Sequence, residues 1–376
     1  MRTRPRRALL GLLTGALLAG GSFAAPAQAA PRAATRDVTR AADSAADWLA
    51  SQLGADHLVV SGYNDGTQWV TYTDYGLTLD FFFAFKGLGV RKALRGDILD
   101  AIEPQTGAYV GTGATAYAGA IGKLLTAVEV QHRDPHTYSS RDLVTKLEGL
   151  VHKAKDGQRG RAKDTWDPSD SFGKDNSNTI GQSWVVRALV GSDSAQAHST
   201  VKFLLKQQCA GGWFRVSMSG NAGDFTCDGG TPGDSKRSVD ATAFALEALQ
   251  IARTAGVRHL RDDIRDAAAW LVRRQAANGS FSDAGDANAN STGVAAEALA
   301  MVGKDRAARQ AAGWLHDHQV TRRVARTTAL HGEKGAVAYD HAALKAGRAD
   351  DITRGVRYQW RRATAQAAVG LDSLGG

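Results

Sequence analysis

Large apolar residues separated by charged ones recur along this chain at helical spacing. Ala268-Ala269-Trp270-Leu271-Val272-Arg273-Arg274-Gln275 and Ala312-Gly313-Trp314-Leu315-His316-Asp317-His318-Gln319 both read A-x-W-L-x-x-x-Q, 44 residues apart. Ala46-Asp47-Trp48-Leu49-Ala50-Ser51-Gln52 and Val201-Lys202-Phe203-Leu204-Leu205-Lys206-Gln207-Gln208 are looser copies. Each places its apolar positions on one helical stripe, as an amphipathic helix does. A second pattern follows with small residues in place of large ones. Thr242-Ala243-Phe244-Ala245-Leu246-Glu247-Ala248-Leu249 matches Thr292-Gly293-Val294-Ala295-Ala296-Glu297-Ala298-Leu299 position by position, and Thr364-Ala365-Gln366-Ala367-Ala368-Val369-Gly370-Leu371 is a third copy.

The two patterns alternate. First-type helices centre on Trp48, Ile98, Leu147, Phe203, Trp270 and Trp314, and second-type helices on Phe82, Ile121, Val185, Leu246, Ala295 and Ala367. Charges between bulky apolar residues suit an outer layer. Alanine and glycine suit a crowded inner layer where helices approach closely. The predicted fold class is all-α: about six helical hairpins at a spacing of roughly 45–70 residues. Such hairpins stack as an open solenoid or close as a ring.

The connecting loops discriminate between these arrangements. Gln207-Gln208-Cys209-Ala210-Gly211-Gly212-Trp213 and Gln275-Ala276-Ala277-Asn278-Gly279-Ser280-Phe281 both fit Q-x-x-x-G-x-[W/F]. With the preceding Phe203-Leu204 and Trp270-Leu271, they resemble the QW repeats of the terpenoid cyclase/protein prenyltransferase superfamily over residues 202–315. The resemblance implies an α/α toroid, with outer helices around inner ones whose N-terminal ends surround a central cavity. It also implies that Gln207, Gln275, Trp213 and Phe281 brace helix ends, with Trp213 a further candidate for ligand contact.

The same resemblance frames the chemistry. Class II terpene cyclases carry D-x-D-D-T-A at the head of an inner helix, and the middle acid protonates an alkene. Here Ser238-Val239-Asp240-Ala241-Thr242-Ala243 keeps Asp240 and replaces both flanking acids. An acid of that strength needs partners that hold its proton and stabilise its conjugate base. Asp240 is thus the single catalytic candidate, with an ordinary acid at a helix N-terminus as the alternative. Protein prenyltransferases hold zinc with Asp, Cys and His, but Cys209 and Cys227 are the only cysteines and have no histidine at ligand spacing. In an exported chain these two are expected to form a disulfide. The Cys-Gly-Glu-Gln of toroidal thioester proteins is absent, as are G-x-S-x-G and H-E-x-x-H. Asp286, Asn288 and Asn290 alternate like calcium-loop ligands, but Ser291 replaces the turn glycine and Glu297 has a repeat counterpart in Glu247. No metal or cofactor is expected.

Small polar groups crowd the loops that enter the second-type helices. They include Asp74, the set Trp166, Asp175 and Asn178, the set Asp224, Asp228, Asp234 and Asp240, and the set Asp283, Asp286, Asn288 and Asn290. In a closed ring they gather at one mouth. Carboxylates and amides beside Trp166 and Trp213 suit sugar hydroxyls or peptides, although Asp and Asn also cap helices and build turns.

The chain begins with four arginines in residues 1–7, an uncharged run over 8–20 and Ala27-Gln28-Ala29, the form of a secretory signal. The expected division is a signal over residues 1–29 and one toroid over 30–376, extracellular once exported. No later segment reaches the ~20 apolar residues of a membrane span. A hydrophobic content of 43% with 22% charged residues fits a globular chain. The net charge of +8 concentrates late: residues 303–376 hold thirteen Lys and Arg against seven Asp and Glu. These are scattered without aromatic interleaving, which argues against nucleic acid and for loose association with an anionic cell surface. The expected function is a secreted, non-catalytic toroid binding an extracellular ligand, a cell-envelope glycan or peptide, at the polar mouth of its cavity. The expected partners are an extracellular glycan, a peptide or an apolar small molecule. The alternative is an enzyme of the same fold, a glycan hydrolase or lyase or a degenerate terpene cyclase using Asp240.

Overall fold

The computed structural model describes residues 32–218, 225–227, 236–283 and 285–375. The expected signal segment and Asp224, Asp228 and Asp234 lie outside the described residues. The chain opens with α1 (Arg32–Ser51), a hairpin of β1 (Val60–Asn64) and β2 (Trp69–Thr73), α2 (Tyr75–Gly87) and α3 (Lys92–Ile102). Next come α4 (Thr106–Val110), α5 (Ala118–Val130), α6 (Leu143–Leu150), α7 (Thr179–Gly191) and α8 (Ala197–Lys206). Two short strands, β3 (Phe214–Arg215) and β4 (Arg237–Ser238), lead into α9 (Val239–Thr254) and α10 (Arg261–Arg274). The last part holds α11 (Ala289–Met301), α12 (Asp305–Asp317), α13 (Arg322–Thr327), α14 (His341–Asp350) and α15 (Arg357–Asp372).

The ring closes. α2, α5, α7, α9, α11 and α15 each pack on the next, and α15 returns to α2. α1, α3, α6, α8, α10 and α12 pack outside them. These are the twelve helices that the two alternating patterns predict. Small residues set the inner spacing: a Cβ on Gly122 of α5 would lie 2.8 Å from the Val185 nitrogen of α7. The core fills the space between the rings, where Leu246, Leu249, Leu271 and Phe281 are fully buried. Residues 285 apart join the two ends, since Trp48 Nε1 donates to Glu333 at 2.6 Å.

A repeated hydrogen bond explains the threonine that opens each small-residue pattern. Its hydroxyl lies one turn inside α2, α9 and α11 and two turns inside α15, and it accepts an N–H from the incoming loop. Val59, Phe214, Phe281 and Val337 donate in this way to Thr78, Thr242, Thr292 and Thr364 at 2.8–3.0 Å. Gln182 does the same in α7, accepting from Ala162 at 3.0 Å.

The loop motif holds one register correction. Gln275 Nε2 donates to the Gly279 and Ala307 carbonyls, and the residue that copies this is Gln208, which donates to Gly212 and Asp263. The spatial motif is therefore Gln208, Gly212 and Phe214, one position beyond Gln207, Gly211 and Trp213. The doubled Gln-Gln and Gly-Gly allow both readings in sequence, and the burial of Phe214 selects the second. Gln207 instead accepts from Arg215 Nε at 3.0 Å in a buried cluster. Cys209 and Cys227 form the expected disulfide, with Cα atoms 5.1 Å apart. Among the described residues, no helix is long and apolar enough to cross a membrane.

Candidate functional site

The inner helices start at one rim, and most of the polar residues expected there act on the backbone. Asp74, Asn178, Ser238 and Asn288 are the N-caps of α2, α7, α9 and α11, each accepting an N–H three residues on. α5 has no such side chain, and Asp164 caps it from a distant loop by accepting from Ala118 at 2.8 Å. Asp175 organises that loop. It accepts from the Asp164 and Ser177 nitrogens and pairs with Arg161 at 2.7 Å. Trp166 lies partly exposed over Gly173, Trp213 is half-buried beside Gly211, and Asp286 is exposed.

Asp240 is the exception at this rim. It occupies the second position of α9, beside Asp283, whose Oδ1 accepts from the Val239 and Asp240 nitrogens. Burial and the Asp283 charge push the Asp240 carboxyl up to about 6, against a hydrogen bond from Ser291. Its Oδ1 and the Oδ1 of Asn290, one repeat on, are buried without partners. A carboxyl raised in the folded state contributes stability at low pH that is lost as pH rises through the folded value. Asp240→Asn is therefore expected to stabilise the protein by about 2 kcal/mol at pH 7. The gain should vanish near pH 4 in urea melts. A destabilised variant at pH 7 would show that the ionised form is needed for folding.

A cavity of about 340 Å³ lies away from this rim, lined from the middle and C-terminal turns of the inner helices. Asp80 and Phe83 come from α2, Thr126 and Val130 from α5, and Trp184 and Arg187 from α7. Phe244, Glu247 and Ile251 come from α9, Val294, Glu297 and Met301 from α11, and Gln366 and Val369 from α15. One wall is aromatic: the Trp184 ring centre lies 4.6 Å from Phe83 and 6.1 Å from Phe244. The Arg187 guanidinium sits 4.5 Å over the Trp184 ring and donates to Glu247. Their side chains are only 9% and 4% exposed. A second pair, Lys123 with Asp80, borders the same space, and Lys123 also donates to the Gly76 carbonyl at 2.9 Å.

Glu297 is the chemically unusual group. It occupies the repeat position of Glu247, but Arg187 is already paired with Glu247. Burial and then the Glu247 charge push its carboxyl up to about 8, with Arg187 opposing. A carboxyl raised in this way holds its proton more readily than an ordinary one, and in its protonated form it is a hydrogen-bond donor. Arg187 Nε and Gln366 Oε1 are also buried without partners. The cavity thus offers hydrogen-bonding groups in a largely apolar, aromatic space.

Sequence reasoning had Glu247 and Glu297 in view as matched positions and assigned both to the scaffold. The missing signal was the third member, Arg187, whose pairing with Glu247 leaves Glu297 without an ion pair among the described residues. Glu297 also lies nine residues beyond Asn288, about 13 Å along the helix axis. Glu297 and the alternating oxygens are therefore at different levels of the ring.

No protein-family model matches this chain, and no curated protein matches it in sequence. Several solved structures match its architecture. A protein from Actinoplanes has a TM-score of 0.59 at 18% identity, covering 91% of this chain and 100% of its own. Type II terpene cyclase MstE from Scytonema scores 0.61 at 12% identity over 90% and 98% of the two chains. An unsaturated glucuronyl hydrolase specific for heparin scores 0.60 at 13% identity over 90% and 96%. What this chain shares with them is the fold, the α/α toroid of the superfamily that its repeats resemble.

Proposed function

We propose that this chain is a secreted, non-catalytic toroid that holds a small, largely apolar molecule bearing an oxygen function in its central cavity. The observation that carries this reading is the cavity lining, where Phe83, Trp184 and Phe244 share one space with Glu297, whose carboxyl is raised by burial. A space of about 340 Å³ lies at the small end of ligand pockets. It suits a compact apolar body better than a glycan chain. Glu297 would donate to the ligand oxygen, and the unpaired Arg187 Nε would supply a second donor. The amino-terminal signal pattern and the disulfide support export, with the mature chain starting near Ala30. The fold does not choose the ligand, since a terpene cyclase and a heparin-specific hydrolase share it.

One observation favours an enzyme of the same fold. Glu247 is paired with Arg187 while Glu297 has no ion pair among the described residues, burial raises both carboxyls, and two carboxyls in unlike settings are what acid–base catalysis uses. A thermal-shift screen distinguishes the readings with wild type, Glu297→Gln and Val294→Trp, the last filling the cavity. The panel holds apolar alcohols and ketones, wall glycans and peptides. A ligand at ~100 times its dissociation constant adds about 2.7 kcal/mol. Wild type should gain a few degrees with an apolar ligand, and Val294→Trp should gain nothing. A ligand consumed by wild type but only bound by Glu297→Gln would establish catalysis. A glycan or peptide shift that survives Val294→Trp and is lost in Trp166→Ala would move the site to the polar rim.

A further inference from the structure

The second candidate site lies where the β1–β2 hairpin meets the start of α15. Arginines stand at 354, 357, 361 and 362 in this short stretch. A pocket of about 250 Å³ there is lined by Ser61, Trp69, Thr71, Arg354, Arg357 and Arg361, among others. It shares no residue with the central cavity.

The local structure holds these arginines at an open pocket, with Arg354 exposed and Arg357 and Arg361 half-buried. Trp69 lies across the neighbouring strand, and a Cβ on Gly62 would meet its Nε1 at 2.5 Å. The Arg354 guanidinium sits 4.4 Å over the Trp69 ring. Arg361 Nη1 donates to the Val60 carbonyl at 2.7 Å, and its Nε donates to Gln52 Oε1 at 3.2 Å. Both acceptors are neutral. Of the three arginines that line the pocket, Arg357 has a carboxylate, Glu333, at 2.8 Å, while Arg362 outside it faces Asp80 at 3.9 Å. No described carboxylate lies within ion-pair distance of Arg354 or Arg361. The nearby Asp74 is engaged by the Leu77 nitrogen and the Ser61 hydroxyl. Burial and the Arg357 charge make Arg361 easier to deprotonate than an ordinary arginine, the mark of a cation short of a counter-charge. The first turn of α15 adds its own positive end, since its N-cap Val356 provides no side-chain acceptor.

We propose that this pocket is an oxyanion site, in which Arg354 and Arg361 hold a carboxylate, sulfate or phosphate group beside the Thr71 hydroxyl. Guanidinium groups are suited to such groups because their N–H donors form a planar fork. The basic excess of residues 303–376 thereby gains a specific place of action. The group comes either as a free ion or as the repeated charge of an acidic glycan, and the chemistry at the pocket is the same.

Calorimetric titration of the whole chain at low ionic strength, with sodium sulfate and inorganic phosphate as probes, tests the site. Binding should weaken at least tenfold in Arg354→Gln and in Arg361→Gln. It should be unchanged in Arg322→Gln, which removes one positive charge from a different surface. Arg354 is exposed, stacks on the Trp69 ring and makes no ion pair among the described residues, so its variant carries the test if Arg361→Gln fails to fold. Arg354→Lys should recover part of the affinity. Equal losses in Arg322→Gln and Arg354→Gln would reduce the effect to net charge and overturn the site. No measurable sulfate or phosphate binding by wild type would do the same. Dextran sulfate binding tighter than sulfate, lost in Arg354→Gln and absent for neutral dextran, would identify the acidic glycan as the source; equal affinity would identify the free ion.

Discussion

Replacing Arg187 with methionine should lower stability by about 3–5 kcal/mol at pH 7, because it leaves Glu247 buried without its counter-charge. The size of the loss follows from what Glu247 can do next. Its carboxyl, 4% exposed on the cavity wall, must either stay ionised beside Glu297 or bind a proton. Protonation costs about 1.4 kcal/mol per pH unit above the ordinary carboxyl value of 4.5. That comes to roughly 3 kcal/mol at pH 7. Lost packing of the guanidinium on Trp184 adds to it. A carboxyl raised in the folded state gives stability that is present at low pH and lost as pH rises. The deficit of Arg187→Met should therefore shrink towards pH 4.5 and grow towards pH 8. Urea melts at pH 5 and pH 8 measure it directly. The double variant Arg187→Met with Glu247→Leu should recover most of the loss, since an apolar pair replaces a buried ion pair at little cost. A deficit equal at both pH values would mean that packing, not charge, is what Arg187 supplies.

The layers of the ring were legible because periodicity reports burial. The Trp270 and Trp314 copies show charges on one helical face, and the Thr242 and Thr292 copies show small residues all round. Closure of the ring was not contained in that pattern, since an open stack buries the same faces. It came from the loop resemblance. The register of that loop was ambiguous because Gln207-Gln208 and Gly211-Gly212 are doubled, and only the fit of Phe214 into the core separates the two. The rim acids were legible as polar, but capping leaves the same sequence trace as ligand contact. Asp74, Asn178 and Asn288 are caps, while Asp240 is half-buried beside Asp283. The cavity was the hardest part to read. Its lining joins residues far apart in sequence, such as Phe83, Trp184 and Glu297, and nothing local marks them as neighbours.

Gly335→Ala should cost about 4 kcal/mol, at the upper end of single-residue effects. Gly335 has φ of +100°, and a Cβ there would run into the Ser44 carbonyl of α1. Its own carbonyl accepts from Gln319 Nε2 at 3.1 Å, and the same amide donates to the Ala41 carbonyl at 2.9 Å. This joint ties the end of the ring to its beginning. A side chain there meets two penalties. The left-handed backbone costs roughly 1–2 kcal/mol for any non-glycine residue. The obstructing atom is helix backbone, so relief requires α1 to move and both Gln319 bonds to stretch. Gly303→Ala separates the two contributions, since φ is +72° there and no atom lies within 4 Å of its Cβ position. That variant should lose only about 1–2 kcal/mol. Gly279→Ala should resemble Gly335→Ala, because its Cβ would meet the Gln310 carbonyl of α12 in the same way. In a chain this long, 1 kcal/mol moves the melting temperature by about 2 °C. Calorimetry should therefore find Gly335→Ala roughly 8 °C below wild type and Gly303→Ala within about 4 °C of it. Equal shifts would mean that backbone conformation alone sets the requirement for glycine, and that the outer helix yields freely at the seam where the ring closes.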